Sequence, residues 1–184
     1  MFKFRRMRTM DPLQVAMTGI RMGERYLQVF CSDQTLTRGL AAKAGLSGVA
    51  ALAAPDETHA ANARKAAAKE GVLIDLKLAP RSELDWPDAS FDMVVVDNTG
   101  DGFSSLAPDA RDGLLQSIRR VLRNGGRIEL IERLGGGLFG GSAQPPEQYA
   151  QVGGAEGAFK NAGFKPVRTL AEKDGFRFVE GLKG

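Results

Sequence analysis

One stretch, Trp86 to Glu132 (WPDASFDMVVVDNTGDGFSSLAPDARDGLLQSIRRVLRNGGRIELIE), constrains the fold more than any other part of the chain. Phe91–Asp97 (FDMVVVD) follows a Pro-Asp turn and is almost continuously apolar and β-branched, the pattern of a strand buried on both faces. From Asp109 to Arg123 the apolar residues Leu114, Leu115, Ile118, Val121 and Leu122 recur at helical spacing, with Arg111, Asp112, Arg119 and Arg120 on the opposite face. Asn124-Gly125-Gly126 is expected to stop that helix, because glycine enters the left-handed C-cap conformation without steric cost. Ile128–Glu132 (IELIE) reads as the next strand. Two strands joined by a covering helix form a parallel βαβ unit with a right-handed crossover.

The rest of the chain repeats this alternation. Pro12 to Ile20 predicts a short helix with Asp11 as N-cap and Pro12 at its first position. Tyr26–Cys31 reads as a strand, and Asp33 as the cap of a helix that ends at Gly45. Val49–Ala53 is a second strand; Asp56 caps an alanine-rich helix that stops at Gly71; Val72–Leu78 is a third strand. A segment with seven glycines between Leu134 and Gly154 is expected to be a loop leading into a helix that ends near Gly163. Val167–Leu170 and Phe176–Val179, joined at Asp174-Gly175, predict a terminal hairpin. The expected architecture is α/β: a Rossmann-like three-layer sandwich whose doubly wound, mostly parallel sheet closes in an antiparallel C-terminal hairpin.

Composition narrows the function classes. A chain of 184 residues with 43% hydrophobic and 26% charged residues reads as one globular domain, residues 12–184, behind a basic N-terminal tail, residues 1–11. Lys3, Arg5, Arg6 and Arg8 give that tail its charge, and Asp11, Pro12 and Gln14 interrupt any apolar signal region after it. The expectation is a solvated tail, with a weak contact to anionic lipid or nucleic acid as the minor reading, no specific nucleic-acid partner and no membrane span. A single cysteine and a single histidine supply neither a disulfide nor a zinc site, and the composition suits the reducing cytoplasm.

"WPDASFDMVVVD" followed by "RRVLRNGGRIELIE" resembles the second half of a class I S-adenosylmethionine-dependent methyltransferase domain, and the likeness extends over residues 12 to 182. It implies seven strands in the order 3-2-1-4-5-7-6, the seventh antiparallel, with the cofactor S-adenosylmethionine beyond the carboxyl ends of the first four. In that family the loop after strand one is acidic at its start and glycine-rich, so that the backbone can approach the methionine part of the cofactor. Here the acidic position falls on Gln28 and the glycine positions on Phe30, Ser32 and Gln34, with Cys31 and Asp33 between them. Phe30 puts a ring where the cofactor would lie. The carboxylate that receives the ribose hydroxyls falls on Ala54, followed by Pro55 and by Asp56, which substitutes for it or merely caps the next helix. The adenine-contacting Gly-Asp pair falls on Ala79-Pro80, ahead of Arg81 and Ser82. Each charge-assisted hydrogen bond lost in this way costs about 1.5–3 kcal/mol of affinity.

The remaining candidates each carry two readings. Asp97 and Asn98 end the fourth strand, where they orient a methyl acceptor or serve the loop that begins there. Cys31 is a nucleophile or a buried structural thiol. His59 is expected to face water, and Trp86 either stacks on an adenine or packs its own loop. The glycine-rich loop 135–141 is a substrate lid or a plain surface loop. Two functions stay open: methyl transfer from S-adenosylmethionine to an unknown small molecule through an altered site, or a non-catalytic methyltransferase-like module with a closed pocket that binds a protein or another ligand.

Overall fold

The strand that the sequence marks most strongly is the spine of the sheet. The computed structural model describes residues 12–79, 83–134 and 145–184. Its elements are α1 (Leu13–Thr18), β1 (Arg25–Val29), α2 (Gln34–Ala44), β2 (Val49–Ala54), α3 (Glu57–Lys69), β3 (Ile74–Leu78), β4 (Phe91–Asn98), α4 (Pro108–Val121), β5 (Leu122–Arg133), α5 (Glu147–Gln151), α6 (Gly154–Asn161), β6 (Val167–Lys173) and β7 (Phe176–Leu182). The sheet order is β3-β2-β1-β4-β5-β7-β6, as the resemblance implied. β4 lies between β1 and β5, parallel to both, and only Asp92 along it escapes full burial. β7 runs antiparallel to β5 and to β6, through a turn in which Asp174 and Gly175 both have positive φ, 52° and 80°. That is the backbone an Asp-Gly hairpin demands.

Each face of the sheet carries its own core. On one, Leu27, Val29, Val94, Val96, Ile128 and Leu130 meet Leu114, Leu115 and Ile118 of α4 and Phe159 of α6. On the other, Tyr26, Met93, Val95, Ile131 and Phe178 meet Val15 of α1 and Leu36 and Leu40 of α2. Ala63 of α3 packs with Leu52 and Cys31.

Several boundaries differ from the sequence expectation, and two of the differences have a clear local cause. Asn124-Gly125-Gly126 does not cap α4. The helix ends at Val121, and Leu122 is already extended at φ −72°, ψ 138°. β5 begins there, and Asp92 of β4 stands opposite the whole Arg123–Gly126 segment between the Phe91–Leu122 and Met93–Arg127 pairs. The glycines therefore form a bulge, with Gly125 at φ +70° and Gly126 so close to the backbone that a methyl group on it would lie 2.8 Å from the Arg123 carbonyl. At α1, Pro12 stands before the helix, at φ −50°, ψ 144°, instead of in its first turn, while the expected cap Asp11 and the basic segment 1–11 lie outside the described residues. The glycine-rich segment 135–141 also lies outside them. No described helix is long and apolar enough to cross a membrane.

Candidate functional site

In a doubly wound sheet the ligand side is the carboxyl edge, near the point where the strand order reverses between β1 and β4. β1 ends at Val29 because Phe30 and Cys31 turn into the left-handed region, at φ 78° and 52°. Side chains on such backbone cost about 1–3 kcal/mol each and persist only where neighbours impose them. Asp97, at the end of β4, is one such neighbour. Its Oδ2 accepts the Asp33 N–H at 2.7 Å and the Gln28 amide at 3.4 Å, and its Oδ1 accepts the Thr99 hydroxyl at 2.6 Å and the Thr99 N–H at 3.2 Å. The side chain is fully buried. Burial pushes its pKa up, and the bonds from the Asp33 and Thr99 backbone and the Thr99 hydroxyl draw it back part of the way. Of its two readings the loop-holding one fits: Asp97 ties the turn after β1 to the turn after β4. Asp33 in turn caps α2, accepting the Thr35 and Leu36 N–H groups. Cys31 is buried and free, and burial pushes its thiol far above the usual range, with Asp97 adding to the shift, which favours the buried-thiol reading.

Phe30 and Ser32 face the loop between β4 and α4. A methyl group on Gly102 would stand 2.8 Å from Cδ1 of Phe30, and one on Gly100 would stand 2.9 Å from the Ser32 hydroxyl. The two loops therefore touch, and glycine at 100 and 102 is what allows it. The Phe30 ring is buried in the main core. Ala54 ends β2 fully buried beside Pro55, and offers no acceptor. Asp56 caps α3, taking the His59 N–H at 2.9 Å and the His59 ring nitrogen at 2.8 Å, contacts that hold its carboxyl below the usual range. His59 is thus paired to the cap instead of simply facing water. Trp86 packs its own loop: its ring meets Phe91 edge-on at 6.0 Å, Lys77 lies over it at 5.0 Å, and its N–H reaches Asp75 at 2.6 Å. Arg81 and Ser82 lie outside the described residues.

Around Asn98, a candidate from the sequence, the fold gathers two residues that sequence reasoning missed, Glu132 and Tyr149. Asn98 Oδ1 accepts the Phe103 and Ser104 N–H groups at 2.9 and 3.1 Å, which fixes the β4–α4 loop, and its Nδ2 reaches Glu132 at 3.5 Å. Glu132, at the end of β5, accepts the Tyr149 hydroxyl at 2.9 Å and faces Arg177 at 3.5 Å. Burial raises the Glu132 pKa against the pull of Tyr149 and Arg177, and raises that of Tyr149 further. Arg111, 2% exposed, lies 5.2 Å from the Tyr149 ring and donates to the Ser104 carbonyl at 3.4 Å. A carboxylate that holds a proton at higher pH than usual, next to an amide and a phenol, can orient a polar acceptor and take a proton from it. The only hint in the sequence was the second glutamate of IELIE, an acid at the carboxyl end of an apolar strand; Tyr149 arrives from a segment the strand pattern says nothing about.

The sheet order, the antiparallel seventh strand and a ligand edge over β1 and β4 define the methyltransferase class of Rossmann-like folds. A family model for the methyltransferase domain matches residues 27–126, and the chain belongs to that family. It is 29% identical over 115 residues to a ubiquinone/menaquinone biosynthesis C-methyltransferase, UbiE, of Chromobacterium violaceum, a match covering 62% of this chain and 45% of that protein. The chain thus spans about half the length of the curated relatives it matches. Among solved structures it is similar in fold to an S-adenosylmethionine-dependent methyltransferase from Aquifex aeolicus, with TM-score 0.75 at 18% identity over 92% of this chain and 87% of the other. It is also similar to the [4+2]-cyclase SpnF, with TM-score 0.66 at 15% identity over 93% and 78%. Phe30 packs against Gly102 and Ser32 against Gly100, and Ala54 puts no carboxylate at the end of β2, so the positions that the resemblance assigns to S-adenosylmethionine hold an aromatic ring and no ribose-binding acid.

Proposed function

We propose that this chain is a methyltransferase domain that takes S-adenosylmethionine weakly, through an altered site, and acts on a small molecule docked against Asn98, Glu132 and Tyr149. The observation that carries the reading is the turn after β1. Phe30, at one of the glycine positions of that loop, and its neighbour Cys31 keep left-handed backbone although neither is glycine, which supports a glycine-type course of the loop under bulkier side chains. Bound, the cofactor would supply an electrophilic methyl group. The chain's own part is to hold the β1–α2 turn through Asp97, to shape the facing loop through Asn98, and to keep a proton-accepting carboxylate at Glu132. Methyl transfer draws mainly on positioning, which such a frame provides. The reading puts the protein in the cytoplasm, where the buried Cys31 thiol stays reduced.

A specific observation favours a second reading, a closed methyltransferase-like module that binds another ligand or a protein: Phe30 and Ser32 lie so close to Gly102 and Gly100 that the loops after β1 and β4 touch. Calorimetric titration with S-adenosylhomocysteine decides between them. The first reading expects wild-type binding weaker than about 100 μM, tightened about tenfold in Phe30→Gly, a gain of about 1.4 kcal/mol. No binding by either protein up to about 5 mM, where less than about 3.1 kcal/mol of binding energy is left, overturns it in favour of the closed module.

A further inference from the structure

The cation-lined groove at the opposite, amino edge of the sheet belongs to nothing described above. We infer that it is an anion site that receives a phosphoryl group. The groove has a volume of about 350 Å³ and is lined by Gln116, Arg119, Arg120 and Lys183, three cations and no carboxylate. It lies beside the end of α4 and the start of β5, away from Phe30 and Asp97.

Cations near the end of a helix have an ordinary use, which is to satisfy its last carbonyl groups. Two of the three are used in a comparable way, on loop and strand carbonyls. Arg120 donates to the carbonyls of Trp86 at 2.8 Å and Leu84 at 2.6 Å and meets Asp88 at 2.8 Å. The Lys183 ammonium donates to the Leu122 carbonyl at 2.6 Å. Those bonds fix both charges in place. Arg119 is different. Its Nε is buried and has no hydrogen-bond partner, and no ion pair is made by its guanidinium among the described residues. The planar group lies against Gly163, where a methyl group would stand 3.4 Å from Nη1 and 3.5 Å from the central carbon, so the backbone of that turn supports it. A buried donor on a permanently charged group costs free energy unless something accepts from it. With two fixed cations beside it, an oxyanion in the groove would be drawn by all three charges.

Phosphate chemistry fits this set. Guanidinium offers a fork of parallel donors that matches two oxygens of a phosphoryl group, and Lys183 and Arg120 add charge around it. The volume exceeds that of inorganic phosphate and falls within the range of small-molecule sites, so the group arrives either free or on a nucleotide-sized molecule. The inference stands apart from the methyl-transfer reading.

The test follows the Arg119 Nε–H resonance by proton–nitrogen correlation spectroscopy, assigned by its absence in Arg119→Lys, while inorganic phosphate and, separately, ADP are titrated at constant ionic strength. The expected result is a saturable shift with a dissociation constant below about 1 mM. Affinity is expected to fall about tenfold or more in Arg119→Gln, which removes a charge-assisted fork. It is expected to fall also in Lys183→Ala, a variant that leaves α4 untouched, and to weaken with added salt. Tighter binding of ADP than of phosphate assigns the group to a larger ligand; equal binding assigns it to free phosphate. A shift that does not saturate by about 20 mM, or an unchanged affinity in Arg119→Gln, overturns the site, because an ion held only by surface charge shows both.

Discussion

Glu129 shows how far a single side chain can be pushed by its place in the sheet. It stands on β5 in register with Val95 of β4 and Glu180 of β7, fully buried, and neither of its carboxylate oxygens has a hydrogen-bond partner. Burial, with the Glu180 charge adding to it and Arg127 opposing, pushes its pKa up to about 8 from an ordinary 4.5. The folded protein therefore holds this proton through neutral pH while the unfolded chain has lost it. Stability from this group is complete below the ordinary carboxylate range and falls as the pH climbs through about 8, by at most about 5 kcal/mol. Glu129→Gln cannot ionise. The expected outcome in urea denaturation is that the variant loses less stability than wild type between about pH 5 and about pH 9, and that it is the more stable of the two at the upper end. Parallel stability curves would show that Glu129 is solvated or paired in solution. Gln28 lies in the same row across Val95, with its own carbonyl oxygen unpartnered, so the two polar groups share one desolvated strip.

At the scale of elements, the loop after β1 and the loop after β4 form one unit, joined by Asp97 below and by two glycine contacts above. Gly102 has ordinary backbone, so alanine there is strained only by its meeting with the Phe30 ring. Gly102→Ala is expected to cost about 1–3 kcal/mol as an overpacked contact. In the Phe30→Gly background the same change is expected to cost less than about 0.5 kcal/mol, the coupling measured by a double-mutant cycle in denaturant. Equal costs in both backgrounds would mean that the loops do not touch. Much of the element layout was legible in advance. β4, α4 and the Asp-Gly hairpin declare themselves by periodicity and by a turn dipeptide, and Asp33 and Asp56 by their positions before helices. What misled was local chemistry with two outcomes. Asn124-Gly125-Gly126 suits a helix cap and a bulge equally well, and the register against β4 decides, which no window of sequence contains. The Glu132–Tyr149 pair was hidden for the same reason, being built from separate elements that only the folded sheet edge brings together.

For the molecule as a whole, stability follows distance from β4. β1, β4 and β5 carry the burial of both cores, whereas β3 and β6 form the two edges, and neither has a fully buried residue. Such edges invite pairing with other chains unless charge interrupts them. β3 carries Asp75 and Lys77, and β6 carries Arg168, Glu172 and Lys173, several of them paired within the chain: Lys77 with Asp85, Arg168 with Glu180, and Glu172 with Arg177. Exposed pairs of this kind contribute little stability, about 0–1 kcal/mol each, so their effect at the edge is to keep polar groups where a second strand would dock. The two edges differ in what backs them. Behind β3 the buried residues of α3 are all alanine, Ala60, Ala63, Ala66 and Ala67, while β6 leans on α6 and β7 with Phe159, Phe164 and Phe178 in the core nearby. Native-state amide exchange is therefore expected to be slowest in β4 and its neighbours β1 and β5, faster in β6 and fastest in β3, with openings at β3 costing well below the global free energy. Uniform protection across all seven strands would mean a sheet that opens only as one unit. It would also mean that the small alanine contacts behind β3 hold as firmly as the aromatic ones on the other side, against the area that each buries.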